Sequence, residues 1–522
     1  MICLLFVGCW ASFAQIYAQS PAYGYFNDAL IYSRWKPSGS ARMLGMAGAQ
    51  NSLGADLGAT ISNPAGLGVY RKSEFSGSFM PLINSTQAGG PSSPIDSRTS
   101  NFNMAQIGAA FCSKEDDIVK SDFRGGTFAI TYSRLNNLNT KGQYSNVARA
   151  RDASGAIAPN SLLDFYSDVA NNPGFTADIA NRDYSQLNDL QAEMKLAYLG
   201  YLLDTLDGGW GTFVPPGDIR QRGEVVTSGY VDELNFSYGF NIKDKFYFGT
   251  GLGVLINRYN RTTIYGEVID RVAVDPSDPF FNYLNNFNGA DFTFTNTLRQ
   301  RGTGVSLKLG AIYKVNDYVR LSGSFHQPMS FTIKETYNQT LSTNLSRVPY
   351  WYNQNVTVPR INNEQGIEST FEYRMRMPGR ATVGASFFIN KKGFISVDAE
   401  HVNFAGARIS SSLADLSGDQ NEINRLYKSV WQLRLGGEYR LSDLYRLRAG
   451  VGYYQNPVNG LKKNDLVFGS LGFGYRTSEW FVDAAFVYHQ SRDSFSYHDY
   501  MRPAEFKQNF VQLATTIGFF FE

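Results

Sequence analysis

From Ser73 onward, hydrophobic positions recur at every second residue. Leu234, Phe236, Tyr238, Phe240 and Ile242 alternate with Glu233, Asn235, Ser237, Gly239 and Asn241. Val305, Leu307, Leu309, Ala311 and Tyr313 alternate with Ser306, Lys308 and Gly310 in the same way. Trp431, Leu433, Leu435, Gly437 and Tyr439 alternate with Gln432, Arg434, Gly436, Glu438 and Arg440. A period of two sends successive side chains to opposite faces of a strand. Strands are predicted near 73–83, 101–112, 123–136, 224–242, 246–262, 297–314, 318–335 and 367–389. Further strands are predicted near 394–409, 429–440, 444–455, 465–475, 480–490 and 507–521. The total is about fourteen, an even number, as in single-chain bacterial barrels.

Strands of a soluble sandwich alternate too, so the period by itself leaves an adhesin-like fold open. Two features favour a membrane barrel. Aromatics bracket apolar faces, as in Trp480, Val482, Ala484, Phe486 and Tyr488, the arrangement of interfacial girdles. Connection lengths also alternate. Short polar turns at 243–245, 315–317, 390–393, 441–443 and 476–478 separate longer loops near 263–296, 336–365, 410–428, 456–463 and 491–506. Short turns on one side and long loops on the other characterise outer-membrane barrels. Closure removes the strand edges that lipid cannot satisfy. Pro328 and Pro378 interrupt strand patterns and mark bulges, kinks or strand ends, because proline cannot donate to the ladder.

One connection, 138–222, is much longer and reads as partly helical. Residues 161–170 form a short candidate helix and residues 185–206 a longer one. Leu187, Leu190, Met194, Ala197, Tyr198, Tyr201 and Leu202 lie at helical spacing. Leu196, Leu199, Leu203 and Leu206 add a second apolar stripe. A helix apolar nearly all round needs cover on two sides. Packing of loop on loop supplies it in one reading. In the other, Leu196, Tyr198, Leu199, Leu203 and Leu206 line a pocket for an apolar ligand over the barrel mouth.

Composition fits a wall between lipid and water. Aromatic residues make up 15% of the chain, Gly counts 50, and charged residues are 18%, against about 25% in ordinary globular proteins. With 48 basic and 46 acidic residues the net charge is +2, which offers no nucleic-acid footprint. No run of apolar residues after the N-terminal stretch is long enough for a spanning helix. Residues 1–18 read as a secretory signal, with Ile2 to Trp10 apolar and small residues before Gln15 or Gln19. A lipoprotein signal at Cys9 competes and ranks behind it. Beyond the signal Cys112 stands alone, so no internal disulfide is expected.

Chemistry is not signalled. His326, His401, His489 and His498 are scattered and none sits in a metalloprotease frame. No nucleophile elbow is present, and Gly249-Thr250-Gly251-Leu252-Gly253 precedes no phosphate-binding helix. No enzyme activity, metal or cofactor is expected. Lys308, Arg320, Arg434, Glu438 and Asp483 fall on inward positions, to line a wet lumen or pair across it.

A barrel of about fourteen strands is too wide for its own side chains to fill. Residues 19–72 precede the first strand and include the small-residue stretch 41–70, "ARMLGMAGAQNSLGADLGATISNPAGLGVY". Such a segment suits a hatch packed inside the lumen, with a turn fixed at Asn63-Pro64. Asp56 followed by Asn63-Pro64-Ala65-Gly66-Leu67 resembles the hatch signature of the FadL/TodX family of outer-membrane transporters for hydrophobic compounds. Met377-Pro378, the hairpin 381–404, the stretch 433–458 ending in Asn456-Pro457-Val458, and the hairpin 469–490 resemble later parts of that family, as does the final alternating strand 511–521, although Glu522 follows it. The resemblance implies a transmembrane antiparallel β-barrel at 73–522 in the bacterial outer membrane, contacting its lipid and expected to be monomeric. It implies passive uptake of hydrophobic small molecules such as long-chain fatty acids. Asn63, Pro64, Ala65, Gly66 and Leu67 would form the hatch constriction, and Gly125-Gly126 a candidate wall kink for sideways exit. The alternative within the same resemblance is a FadL-like barrel that serves a protein partner or secretion apparatus. A lipid-acting barrel enzyme is a third reading.

Overall fold

The structure, a computed structural model, describes residues 24–522 except 90–94, 115–120, 149–160, 173–178, 184–186, 188, 207–208, 213–217, 271–288, 346–348, 351–352, 358–363, 391, 461–464, 499 and 502. The signal expected at 1–18 lies outside the described residues. The wall begins with β1 Ser73–Gly89, β2 Ile95–Lys114 and β3 Phe123–Asn137, resumed as Thr140–Ala148. It continues with β4 Ile219–Ile242, β5 Phe246–Ile269, β6 Ala290–Lys314 and β7 Val319–His326, resumed as Ser330–Asn344. Next come β8 Glu364–Arg376, resumed as Arg380–Ile389, and β9 Gly393–Asn403, resumed as Arg408–Ser410. The last five are β10 Ser429–Arg440, β11 Tyr445–Tyr454, β12 Leu466–Arg476, β13 Trp480–Phe495 and β14 Ala504–Phe521. Neighbours in sequence pair antiparallel, and β1 closes on β14 from Ser73↔Phe521 to Gly89↔Glu505. The wall is a closed antiparallel barrel of fourteen strands.

Its outward face shows why it suits lipid. On β5, Phe246, Phe248, Leu252, Val254 and Ile256 are exposed, while Tyr247, Leu255 and Tyr259 between and beyond them are buried inward. At about 3.4 Å per residue and a tilt of about 40°, Phe246 to Ile256 make a band about 25 Å tall, the height of the lipid-facing band of such barrels. At Arg258 that face turns polar.

The wall is uneven in height. β4, β5 and β6 have 24, 24 and 25 residues, whereas β10, β11 and β12 have 12, 10 and 11. The tall side departs from the sequence reading. β5 continues to Ile269, β6 starts at Ala290 and β7 runs to Asn344, through stretches expected to be loops. Tyr265, Phe292, Phe294 and Leu341 on these extensions are buried; cover by other parts of the chain lets a strand persist beyond the lipid. Both prolines fall at breaks: β7 is interrupted at Pro328 and β8 at Pro378, side by side, with Met377 N donating to Met329 O at 2.7 Å.

Residues 24–72 occupy the lumen. Helix α1 Phe26–Ser33 lies at the long-loop end, followed by α2 Ala41–Gly45 and 3-10 turns at Leu57–Thr60 and Pro64–Val69. Over the tall side sit α3 Leu162–Ala170 and α4 Asp189–Leu199. Ser161 caps α3 in a capping box with Asp164. The excursion from the wall is shorter than 138–222, because β3 pairs to Ala148 and β4 resumes the ladder at Ile219. The helix expected at 185–206 ends at Leu199. Tyr201 adopts φ 57° and the chain turns into a short hairpin, Asp204–Leu206 with Gly209–Gly211, a left-handed stop that takes the place of a last helical turn. In the long loop before β10, α5 Ser417–Leu426 packs on α1, and Phe26 N donates to Asp419 Oδ1 at 3.0 Å.

Candidate functional site

The Asn63-Pro64 turn is held from within and from below. Asn63 Oδ1 accepts from Ala65 N at 3.1 Å, and Asn63 Nδ2 donates to Asn51 O at 2.8 Å. Asp56 caps the preceding 3-10 turn, accepting from Gly58 N at 2.7 Å and from Ser40 Oγ at 2.8 Å. Asn63, Pro64, Ala65, Gly66 and Leu67 are all buried. They sit on a recess that the wall provides. Gly239 pairs with Gly249, and Gly249 with Gly310, so three glycines stand in one row across β4, β5 and β6. A Cβ at Gly249 would collide with the Pro64 carbonyl, at Gly239 with the Pro64 oxygen, and at Gly310 with Asn63 Oδ1. A second pair, Gly436↔Gly450 on β10 and β11, receives the Met46 backbone likewise. Within the glycine-rich stretch 249–253, Gly249 thus serves close approach of the hatch, while Gly251 and Gly253 make room for wall side chains.

Polar wall residues complete the seat. Gln106 Nε2 donates to Leu57 O at 3.1 Å, Arg320 Nη1 to Leu53 O at 3.1 Å and His326 Nε2 to Ser62 O at 2.7 Å. Asp398 Oδ2 accepts from Asn51 N at 2.9 Å. Lys308 donates to Thr60 O at 3.1 Å and forms a buried ion pair with Glu233. Of the inward charges, Lys308, Arg434, Glu438 and Asp483 pair with residues of nearby strands rather than across the lumen, and Arg320 bonds to the hatch backbone. Arg434 meets Glu400 at 2.5 Å, and Arg448 bridges Glu438 and Asp483 at 2.8 and 2.6 Å. Higher up, Gln300 Nε2 donates to Asp28 and Glu335 at 2.9 and 2.8 Å. The Tyr32 phenol donates to Gln300; burial, with Asp28 beside it, raises its pKa well above the usual tyrosine value.

Above the seat lies a cavity between the hatch and the wall. Trp35, Met43, Leu44, Ile61 and Leu135 give it apolar walls, and Lys36, Arg380, Arg434 and Glu400 line it too. Arg380 holds Glu400 at 2.7 Å and stacks over Trp35 at 4.0 Å. Two guanidinium groups, Arg380 and Arg434, therefore share the Glu400 carboxylate. An adjoining cavity, bounded by Trp35 and Lys36, reaches Thr140 on β3.

Thr140 and Leu135 flank a seam. The β2–β3 ladder runs from Lys114↔Gly125 to Gln106↔Ser133 and stops. Above that, β2 keeps β1 as its ladder partner up to Ile95 and β3 keeps β4. Among the described residues only side chains cross the gap, Asn137 to Asn101 at 3.5 Å and Ser97 to Gln143 at 3.4 Å. Phe79 and Phe102 stack beside it on the outward face, 6.1 Å apart and exposed. A bulge at Arg134/Asn136 and the break at 138–139 reshape β3 here. Asn136 Nδ2 donates to Ile31 O and Arg34 O of the hatch at 3.2 and 3.3 Å. The expected kink at Gly125-Gly126 lies lower. Gly125 takes φ 128° where the β4 register shifts, and the ladder is intact on both sides there.

The leucines of the cap have packing partners. Leu196 and Leu203 are buried in one cluster with Phe165, Tyr265, Phe292, Phe294 and Tyr497. Tyr198 meets Trp210 edge-on at 5.8 Å, and Leu199 is 37% exposed. The Leu206 side chain lies outside the described ones. Sequence reasoning missed the glycine rows, the Arg380–Glu400–Arg434 group and Asn136; a shared height of small inward residues on adjacent strands was the available signal for the first.

A family model described as outer membrane protein transport protein (OMPP1/FadL/TodX) matches residues 224–509, more than half of the chain. Among solved structures, a Pseudomonas aeruginosa FadL homologue aligns over 94% of this chain and 99% of its own, at 14% identity and a TM-score of 0.53. The P. putida toluene transporter TodX aligns over 93% and 99% at 13% identity and a TM-score of 0.49. The CymD monoaromatic hydrocarbon channel aligns over 91% and 96% at 12% identity and a TM-score of 0.46. No curated protein matches in sequence. Identity this low speaks to the fold, and the family match speaks to kinship. The chain belongs to the OMPP1/FadL/TodX family of outer-membrane channels for hydrophobic compounds.

Proposed function

We propose that the protein takes up long-chain fatty acids or similar apolar molecules with an anionic end, and releases them sideways into the membrane through the seam between β2 and β3. The carrying observation is the ladder that stops at Gln106↔Ser133, level with exposed Phe79 and Phe102 and next to the hatch cavity. An apolar tail suits Trp35, Met43, Ile61 and Leu135, and a carboxylate suits the two guanidinium groups, Arg380 and Arg434, that share the single Glu400 carboxylate. Lateral release spares the tail a passage through a lumen filled by the hatch. The Asn63–Leu67 turn would be the constriction that closes the periplasmic end. Leu196, Tyr198, Leu199, Leu203 and Leu206 would act at the entrance by shaping the cap, with Leu199 the member that meets solvent. The reading requires no catalytic step and no cofactor, and a single chain contains the whole route.

A cross-link tests the seam. Asn101→Cys with Asn137→Cys, in a Cys112→Ser background, joins side chains that now touch across it. Oxidation should cut uptake of a fluorescent long-chain fatty acid by whole cells at least tenfold, and a reductant should restore it. Uptake that survives a complete cross-link would remove lateral exit. Binding of the same probe to purified protein should survive the cross-link; no saturable binding at all would remove the fatty-acid reading.

A further inference from the structure

The outward faces of β5 to β8 carry a patch of cations that the transport route does not use. Where the apolar band of β5 ends at Ile256, Arg258 follows on the same face. Arg258 stands directly opposite Arg301 on β6, and Arg301 directly opposite Lys334 on β7. Arg299 lies one outward position above Arg301 on β6, and Arg374 and Arg376 lie on β8 opposite Thr332 and Ser330. All six side chains are exposed. Among the described residues none of them forms an ion pair with a carboxylate. Glu372, opposite Lys334 in register, is the acidic side chain among them and makes no such pair.

Like charges directly opposite one another destabilise a sheet, so Arg258–Arg301–Lys334 is an unfavourable row unless an anion sits on it. Its height gives the anion. The row lies one step beyond the lipid-facing band, at the long-loop end, where the headgroups of the surrounding leaflet are. Clustered Arg and Lys at that level attract anionic lipid headgroups, and the planar guanidinium suits phosphate oxygens. The opposite wall differs: above its apolar face β14 presents Asn509, Lys507 and Glu505, of mixed character.

We infer that this face is a docking surface for the phosphate groups of a phosphorylated glycolipid of the outer leaflet. The lipid would lie with its chains along Leu252, Val254, Ile256 and Val305 and its phosphates across Arg258, Arg301 and Lys334. It would stabilise the tall side of the wall by neutralising the cation row.

Native mass spectrometry and thermal unfolding in detergent test this, with lipid A, its dephosphorylated form and a variant combining Arg258→Gln, Arg301→Gln and Lys334→Gln. Lipid A should bind and raise the unfolding temperature of the wild type, with an affinity that falls as salt rises. The dephosphorylated lipid should bind at least tenfold more weakly, and so should lipid A to the variant. Without lipid the variant should unfold at the same or a higher temperature than the wild type, because the like-charge row is gone; that also shows it is folded. Equal binding of both lipids, or of lipid A to wild type and a folded variant, would overturn the inference.

Discussion

Single side chains decide whether the hatch can sit. At Gly249 the wall has no room for a methyl group, whereas at Gly323, on β7, a Cβ would meet nothing within 4 Å. Gly249→Val should therefore unseat the Asn63-Pro64 turn, at a cost of about 1–3 kcal/mol from overpacking. Leakage of a small hydrophilic dye into liposomes bearing the variant should rise, and Gly323→Val should leave it unchanged. Lys308 makes a different kind of contact. It is 1% exposed and paired with Glu233. Lys308→Met strands a buried carboxylate, which costs about 3–5 kcal/mol; a midpoint shift in denaturant titration checks this. Adding Glu233→Gln should recover most of the loss, since a neutral amide carries no uncompensated charge.

Among the elements, the cap is held to the wall by its helix ends. Ser161 caps α3 through Leu163 N at 3.0 Å and donates to Glu267 of β5 at 2.5 Å, while Leu162 N donates to Glu267 at 3.0 Å. Ser161→Ala removes cap and anchor together, so α3 should lose about 1 kcal/mol or more. Limited proteolysis between β3 and β4 should speed up severalfold, with barrel mobility on gels unchanged. The strands themselves were legible because each has two faces in different surroundings, and Leu234–Ile242 against Glu233–Asn241 records both. Their upper ends were not. Beyond the lipid the outward face turns polar and resembles loop sequence, although Tyr265 and Phe292 still point into a packed cap. The seam was illegible for another reason. A missing ladder is a property of pairing, and β2 and β3 both keep strand-like sequences through it.

Over the whole molecule, the closed wall and the lumenal segment followed from alternation, connection lengths and the small-residue stretch 41–70. The hatch seat did not, because it needs Gly239, Gly249 and Gly310 to fall in register across three adjacent strands, and the register of one strand against the next is not written in either alone. The group at Arg380, Glu400 and Arg434 is brought together from β8, β9 and β10 in the same way.

The path of residues 24–72 has a topological consequence. Phe26 touches α5 at the outer end of the lumen, and Arg71 meets Asp244 in the β4–β5 turn at the inner end, 2.8 Å apart. The chain is a thread drawn the full length of a ring. The ring shuts where β14 meets β1, the strand that continues the thread. Assembly must therefore place the thread before the final ladder forms, or feed it in afterwards through an open end. Once the ring is shut, the thread stays moored at Ser73 and cannot part from the wall, whatever its path. A movement of the hatch is thus the rearrangement of a tethered segment, and its return is built into the connectivity of the chain.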